Sequence, residues 1–356
     1  MDSDVAPGSF DIQMLVIDAA STMENTDVLQ ACALTCQAWL SRARRHLYSH
    51  IILMRRRQFT LLARTLTDSP WLGSLVHNLR LILTNTGVAP GQWDHISFTP
   101  HAISQLKSLR SVTFGCYFKP IPASFYPFMR TFATCPTLKV VYFLPMQFST
   151  FEDIVRVVLS FPCVESLCIA GCSWDKMGNP VDASEYPGHG RSLQELKLLD
   201  VRDGAPLLQL FAHCAITKIM WWPSNVRWIR HHYAVLSEYY TMLEDVELHC
   251  PNGNLEWVAD VLPYIQSKHF RRLAIVYPCH EQTREKTMQL WSDARLDDLL
   301  SGPPFLHMQQ LRLCFLCSTA EAAETQWWQK EIERIFPDCH QRRLIKLEVV
   351  DRNDIE

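Results

Sequence analysis

The sequence predicts an α/β protein in which a small N-terminal module of helices precedes a long array of alternating short strands and helices. Three observations predict this organisation. Apolar residues follow a helical spacing at the N-terminus, a short apolar motif recurs through the rest of the chain, and helix-patterned segments separate its copies. The predicted segments are the helical module 8–53, a linker helix 54–71 and the array 72–356.

The composition is that of a folded, intracellular protein. Of 356 residues, 48% are hydrophobic and 20% are charged. The net charge of −3 gives no general attraction to nucleic acid or to anionic membranes. The segment MDSDVAPGSF has neither the basic nor the apolar part of a secretory signal, and Arg156, Pro162 and Glu165 interrupt the apolar stretch 155–172. We therefore expect a soluble cytoplasmic or nuclear protein whose 13 cysteines are reduced and mostly serve as small packing residues.

The N-terminal module contains two helix-patterned stretches. FDIQMLVIDAA (10–20) has apolar residues at positions 12, 15, 16 and 19. After the polar segment 21–28, in which Asp27 is the predicted N-cap, LQACALTCQAWLSRARRHLY (29–48) reads as one helix. Drawn as a helix, this stretch is apolar on two sides. One side, flanked by Trp39, consists of Leu29, Cys32, Ala33, Cys36, Leu40, Ala43 and Leu47, and the other of Ala31, Leu34 and Ala38. Such a helix is expected to face its own core on one side and a partner on the other.

From about residue 72 the chain repeats one motif: an apolar residue, two others, an apolar residue, one other and an apolar residue. Its copies recur every 23 to 38 residues. They are Val76-Leu79-Leu81, Leu109-Val112-Phe114, Leu138-Val141-Phe143, Val164-Leu167-Ile169, Leu193-Leu196-Leu198, Ile216-Ile219-Trp221, Leu243-Val246-Leu248, Phe270-Leu273-Ile275, Met308-Leu311-Leu313 and Leu344-Leu347-Val349.

Helix-patterned segments lie between these copies, at 151–161, 205–214, 255–266 and 324–336. Alternation of a short strand with a helix at this period is typical of a solenoid whose strands line one face. We interpret the array as an irregular leucine-rich-repeat-like solenoid, since the regular asparagine after each strand is mostly missing. The alternative is an ordinary α/β domain with a parallel sheet.

The cysteine pairs and the arginine clusters have simpler interpretations than metal or nucleic-acid binding. Cys32 and Cys36 would share a helix face, but no other ligand stands at a spacing that completes a metal site. Cys314 and Cys317 are three residues apart on a predicted strand, so they point to opposite faces. The arginines at 42, 44, 45 and 55–57 are balanced by acidic residues in the same segment. Packing cysteines and a solvated or partner-facing helix end are the favoured interpretations.

No catalytic motif is present. The sequence lacks the glycine-rich phosphate loops, the G-x-S-x-G nucleophile turn and the H-E-x-x-H metal motif. The doublets Trp221-Trp222 and His231-His232 have no carboxylate or nucleophile at a known spacing. Trp327-Trp328 lies in a helical segment and is expected to bury one ring and expose the other. We therefore expect a protein that is not an enzyme and has no cofactor or metal.

Residues 10–53 resemble an F-box of the kind found in large expanded families of mushroom-forming fungi. The resemblance is carried by Asp11-Ile12, the aliphatic run 15–17, Asp27-Val28-Leu29, the segment CALTCQAW (32–39) with its C-x-x-x-C-x-x-W spacing, and RRHLY (44–48). The chain departs from the family at Gly8-Ser9, where Leu-Pro is usual, at Ala19-Ala20, and at Thr35, where Val or Ile is typical.

The resemblance implies a substrate-recognition subunit of a Skp-cullin-F-box ubiquitin ligase. The N-terminal helices would bind the Skp-family adaptor and, through it, cullin, while the array binds a protein substrate; neither nucleic acid nor membrane is an expected partner. The candidate adaptor-binding residues are Ile12, Leu15, Val16, Leu29, Cys32, Leu34 and Trp39. No substrate-binding residue is assigned; in such arrays the strand-lined face or the loops, here 221–228, usually bind it. Two alternatives stay open: a non-catalytic interaction scaffold, and a hydrolase or transferase with a pocket near His231 and His232.

Overall fold

A computed structural model describes residues 15–20, 26–83, 99–117, 121–181, 185–186, 188–201, 204–224, 233–279, 283–318 and 324–351. The chain divides into two compact units, residues 1–142 and 143–356. Parallel strands alternate with helices in both units, which confirms the predicted α/β class. The predicted segments 8–53, 54–71 and 72–356 follow different boundaries and stay a prediction about domain organisation.

The helices of the first unit are residues 15–20 (α1), Thr26–Thr35 (α2), Gln37–Ser49 (α3), Arg56–Asp68 (α4), Pro100–Ser104 (α5) and Phe125–Thr131 (α6). Those of the second unit are Phe151–Leu159 (α7), Ala205–Leu210 (α8), Ala234–Tyr239 (α9), Glu256–Val261 (α10), Arg284–Asp293 (α11), Leu296–Leu300 (α12), Thr325–Ile335 (α13) and Pro337–Gln341 (α14). Each of the four helix-patterned segments predicted between motif copies contains one of these helices: α7, α8, α10 or α13.

The strands are His50–Leu53 (β1), Asn78–Leu83 (β2), Ser111–Cys116 (β3), Val140–Phe143 (β4), Gln147–Thr150 (β5), Ser166–Ala170 (β6), Ser173–Lys176 (β7), Glu195–Val201 (β8), Lys218–Pro223 (β9), Asp245–His249 (β10), Arg272–Pro278 (β11), Gln310–Cys317 (β12) and Ile345–Asp351 (β13). In the first unit β1, β2 and β3 are parallel neighbours in chain order. In the second unit the parallel order is β6-β8-β9-β10-β11-β12-β13, and β5 and β7 form a separate parallel pair.

The recurring apolar motif places equivalent residues side by side on neighbouring strands. In the second unit Leu198 is in register with Trp221, and Trp221 with Leu248. Every first residue of the ten predicted copies is buried, which closes the core at the turn before each strand. Because strand side chains alternate between two faces, the second and third residues of a copy point to this same core.

The last motif copy and the strand register do not coincide. The motif pairs Leu311 with Leu347, whereas the structure pairs Leu311 with Ile345 and Leu313 with Leu347. The motif copies are therefore offset by two residues from the strand register at β13. A shift of two leaves every side chain on its predicted face, so burial alone does not distinguish the two registers.

The chain between residues 29 and 48 is not one helix, contrary to the sequence interpretation. α2 ends at Thr35, Cys36 is extended with φ −158° and ψ 166°, and α3 begins at Gln37. In a straight helix Leu29 and Ala43 would lie about 21 Å apart along the axis. Both belong to one buried cluster, which the break at Cys36 makes possible. Asp27 lies in the first turn of α2 rather than before it, where its charge still favours the helix N-terminus.

Strand β1 was missed by the sequence interpretation, although the motif contains a signal for it. Tyr48-Ile51-Leu53 has the same apolar spacing, 28 residues before Val76. In the structure Ile51 is in register with Leu79 and Leu53 with Leu81. The repeated pattern therefore starts one strand earlier than predicted, inside the segment assigned to the helical module.

Large aromatic side chains fill the cores. In the first unit the Phe114 and Phe132 rings pack edge to face, 5.5 Å apart. In the second unit the Phe315 and Trp328 ring centroids are 4.7 Å apart. Trp328 is fully buried, as predicted for one ring of its doublet. Trp327 is half-buried rather than exposed, with the Arg284 guanidinium 4.6 Å above its ring and the Trp328 ring 5.2 Å away.

Candidate functional site

The N-terminal helices enclose a small core of their own. Ile17 and Ala20 from α1, Leu29 and Cys32 from α2, and Ala43 from α3 form one buried cluster, with Ala33, Trp39 and Leu47 packed around it. Two predicted adaptor-binding residues, Leu29 and Cys32, are thus packed inside the module. Trp39 is half-buried against the same cluster, and Ile12 lies outside the described residues.

Three other predicted adaptor-binding residues lie on the outside. The exposed fraction is 65% for Leu15, 50% for Val16 and 88% for Leu34. At 100° per residue Ala31 and Leu34 lie opposite the face of α2 that carries Leu29 and Cys32. Within α2, Leu29 and Cys32 therefore lie on the core side and Ala31 and Leu34 on a solvent-exposed side, whereas Cys36, predicted on the core side, is exposed at the break. We call Leu15, Val16, Ala31 and Leu34 the outer apolar surface.

Ile17 is the core residue that the sequence interpretation overlooked. The pattern in 10–20 emphasised positions 12, 15, 16 and 19, yet Leu15, Val16 and Ala19 are exposed. Ile17 is fully buried. The helical spacing of three residues between Ile17 and Ala20 could have indicated this core face. It was overlooked because Ile17 belongs to a continuous apolar run.

An ionic network joins α1 to α3. The Asp18 carboxylate accepts a hydrogen bond from Nε of Arg42 at 2.8 Å, and Nε2 of His46 lies 2.8 Å from Oδ1 of the same carboxylate. The hydrogen bond from Arg42, assisted by that from His46, lowers the pKa of Asp18 to about 2, although partial burial opposes the shift. The carboxylate therefore stays ionised and holds the two helices together at neutral pH.

In each of the two cysteine pairs, the two side chains lie in different surroundings. Cys32 is buried in the module core, whereas Cys36 is exposed at the break between α2 and α3. Cys314 and Cys317 both lie on β12 and point to opposite faces of the sheet, as predicted. Within the described ranges, no three His, Cys, Asp or Glu side chains are grouped so that they could hold a metal ion.

The second unit presents a charged sheet face. The strand residues that alternate with the buried motif positions point to the opposite side, which we call the outer sheet face. Across its strands lie Glu195, Lys197, Lys218, Asp245, Glu247, Arg272, Arg312, Lys346 and Glu348. Asp245 binds Arg272, with Nε 2.6 Å from Oδ1, and also faces Lys218. Several of these residues line a shallow depression of about 300 Å³.

A chain of contacts crosses this face from β9 to β12. Trp222, 44% exposed, stacks on His249 with ring centroids 5.5 Å apart. Nε2 of His249 lies 2.7 Å from Glu247, whose second oxygen accepts a 3.0 Å hydrogen bond from Nη2 of Arg312. Burial raises the pKa of Glu247, but the hydrogen bond from His249 and the charge of Arg312 outweigh it, so the net shift is downward.

Arg312 keeps one donor unused. Its Nε is buried and has no hydrogen-bond partner among the described residues, while Nη1 lies 4.0 Å from Glu348. A buried donor without an acceptor costs free energy, which an incoming oxygen acceptor would recover. The sequence assigned no residue to this face. The predicted loop 221–228 is wrong at its start, because Trp221, Trp222 and Pro223 belong to β9. Residues 225–232, including His231 and His232, lie outside the described residues.

No described helix is both long and apolar enough to cross a membrane. No protein-family model matches the chain, and no curated protein sequence is significantly similar to it.

Proposed function

We propose that the chain is a non-catalytic, substrate-recognition subunit of a Skp-cullin-F-box ubiquitin ligase. Its N-terminal helices act as an F-box that binds the Skp-family adaptor, and its repeats act as a leucine-rich-repeat-like solenoid that holds the target protein. The observation that carries the proposal is the outer apolar surface, above all Leu34, 88% of which is exposed on a helix whose opposite side is a packed core. A contiguous patch of large exposed apolar side chains is typical of a protein interface, and the proposal takes these residues as parts of one such patch.

The strand order supports the solenoid part of the proposal. From β8 to β13 each strand pairs in parallel with the next strand along the chain. An open doubly wound sheet reverses its order at a switch point, where it binds its ligand. The stepwise order instead matches repeats that each contact only their neighbours.

The outer sheet face is the proposed target-binding surface. It combines an exposed aromatic side chain, Trp222, with a buried arginine donor, Nε of Arg312. Tryptophan and arginine are the side chains most often found to dominate binding energy at protein interfaces. The target would supply an oxygen acceptor to Arg312 beside an apolar group against Trp222.

In this role the chain makes and breaks no covalent bond. Binding the adaptor and the target together raises the effective concentration of a target lysine near the charged conjugating enzyme. The target-binding surface then determines which proteins are ubiquitinated and degraded.

Co-purification of the full chain with a recombinant Skp-family adaptor tests the adaptor interaction. The variant Leu15→Asp/Leu34→Asp places charges on the outer apolar surface and is expected to weaken binding by at least about tenfold. Leu61→Asp, at an exposed leucine on α4, is the matched control. Leu29→Asp is unsuitable because it buries a charge in the module core and would unfold it. Failure of the wild-type chain to bind the adaptor would sink the ligase proposal.

The alternative is an interaction scaffold without ligase association. It is favoured by the burial of Leu29 and Cys32, since two of the residues expected to contact the adaptor pack within the chain instead. Proximity labelling in the native organism, with ligase activity inhibited, separates the two functions. Labelled adaptor and cullin support the ligase, whereas labelled targets alone support the scaffold. Loss of the targets, but not of the adaptor, in Trp222→Ala/Arg312→Gln would support the outer sheet face as the target site.

A further inference from the structure

The carboxyl ends of β11 and β12 bring two cysteines together. Pro278 is in register with Leu316, and the amide of Cys279 donates a 2.9 Å hydrogen bond to the Leu316 carbonyl. The pairing thus continues by one residue beyond β11, to Cys279 and Cys317. Both thiols are reduced and buried, and their Sγ atoms are 3.2 Å apart.

This is the geometry from which a disulfide can form. Neighbouring strands lie about 4.8 Å apart, within the range of about 4.4–6.8 Å found between the Cα atoms of disulfide-bonded cysteines. The two sulfurs need to approach by only about 1.2 Å to reach the bond length of about 2.05 Å. Both residues lie at strand ends, where small backbone adjustments disturb few ladder hydrogen bonds.

The C-x-x-C spacing of Cys314 and Cys317 does not produce this pair. Cys314 points to the outer sheet face, and the partner of Cys317 comes from the preceding strand, 38 residues earlier. The relevant pairing is therefore invisible in the local sequence and follows only from the register of β11 and β12.

We propose that Cys279 and Cys317 form a reversible disulfide under peroxide stress, linking two successive repeats of the second unit. Hydrogen peroxide oxidises one thiol to a sulfenic acid: an S–O bond forms, the O–O bond breaks and one water leaves. The second thiol then attacks this sulfur, the S–S bond forms, the S–O bond breaks and a second water leaves. The protein loses two hydrogens and two electrons, which the peroxide accepts. A dithiol such as dithiothreitol reverses the reaction.

The bond restricts the unfolded chain because it joins residues 38 apart in sequence. We expect the oxidised protein to melt on the order of 5 °C higher than the reduced protein. The inference depends only on β11 and β12 and does not rest on the proposed ligase function.

Peptide mapping of the full chain tests the proposal. The starting protein is Cys36→Ser/Cys163→Ser, which removes the two exposed cysteines that would otherwise react first. After treatment with hydrogen peroxide and alkylation, we expect a peptide in which Cys279 is joined to Cys317. The intact mass falls by two hydrogens, and the raised melting temperature returns to its starting value with dithiothreitol.

Two further variants control the result. Cys317→Ser is expected to abolish both the linked peptide and the shift in melting temperature, whereas Cys314→Ser, three residues away on the same strand, is expected to keep both. If the peroxide-treated protein instead shows Cys279 and Cys317 unlinked, either still alkylatable after denaturation or oxidised separately, the proposal is wrong. This mapping needs no variant of either cysteine, so it remains decisive if Cys317→Ser fails to fold.

Discussion

The carboxylate of Asp18 in α1 accepts a 2.8 Å hydrogen bond from Nε of Arg42 in α3, across 24 residues of sequence. The neighbouring residue Ala43 belongs to the buried cluster of the module, so the ion pair lies at the edge of the core that it helps to close. Arg42 was expected to belong to a solvated or partner-facing helix end. Its guanidinium is bound to Asp18, although 41% of the side chain is exposed, and Arg44 and Arg45 are exposed as well.

The Asp18 pair predicts a pH dependence of stability. The pKa of Asp18 falls from 3.8 to about 2 on folding, so the unfolded chain binds a proton more readily than the folded one. The stabilisation is therefore complete above pH 3.8 and is lost as the pH falls towards 2. We expect Asp18→Asn to lower the unfolding midpoint in urea at pH 7. Between pH 5 and pH 2 the midpoint of the variant should fall less than that of the wild type. Asp68→Asn, at an exposed carboxylate, is the control, and equal pH profiles for the wild type and Asp18→Asn would contradict the prediction.

The tryptophan doublet on β9 predicts two very different effects of the same substitution. Trp221 is buried and packs edge to face against Trp257, 5.7 Å between centroids, whereas Trp222 lies on the outer sheet face. Trp221→Ala is expected to lower the free energy of unfolding by about 3–5 kcal/mol because it leaves a large cavity. Trp222→Ala should change it by less than about 1 kcal/mol. Denaturant unfolding measures both; similar losses would contradict the prediction, and a larger loss for Trp222→Ala would mean that β9 has the opposite facing.

Gly73 occupies a position with no room for a side chain. A Cβ placed there would lie 2.2 Å from the backbone oxygen of Gln105, which is not a flexible group that can move aside. We expect Gly73→Ala to destabilise the protein by about 1–3 kcal/mol through the backbone shift that it forces. Ser74→Ala, at the next and exposed residue, should cost less than about 1 kcal/mol. A Gly73→Ala protein as stable as the wild type would show that these two segments are not in close contact.

The buried carboxylate of Asp297 in α12 is predicted to stabilise the fold. Its two oxygens accept hydrogen bonds from the backbone amides of Asp338 at 3.0 Å and Cys339 at 3.1 Å, in the first turn of α14. Asp297→Ala would leave both amides without these acceptors, so we expect a loss of about 1–3 kcal/mol. Asp298→Ala removes the adjacent, exposed carboxylate and should have little effect. Thermal unfolding measures the stability of both variants. Equal melting temperatures would contradict the prediction.

The sequence predicted what depends on local periodicity. Leu196, Leu198 and their counterparts on other strands were identified because every second residue of a strand faces the core. This spacing is visible in the sequence without knowledge of how the strands pair. The break at Cys36 was not predictable from spacing, because it depends on Leu29 and Ala43 reaching one cluster. Tertiary packing overrode the local pattern there.

The functional surfaces were predictable only in part. Leu34 was identified because it lies opposite Leu29 on a helical wheel, a purely local relationship. The link between Arg312 and Glu247 joins residues 65 apart, and the contact of Cys279 with Cys317 depends on strand register. Neither leaves a mark on the nearby sequence, so both required the structure.

Strand β13 ends the strand order of the second unit, and none of the described strands pairs along its other side. Its backbone therefore offers a template to which an additional strand, including one from another copy of the chain, could be added. Lys346, Glu348 and Asp351 place charges along this short strand. Charged side chains on an edge strand oppose such pairing. The regularity that lets each strand pair with the next would, without these charges, also favour aggregation through this edge.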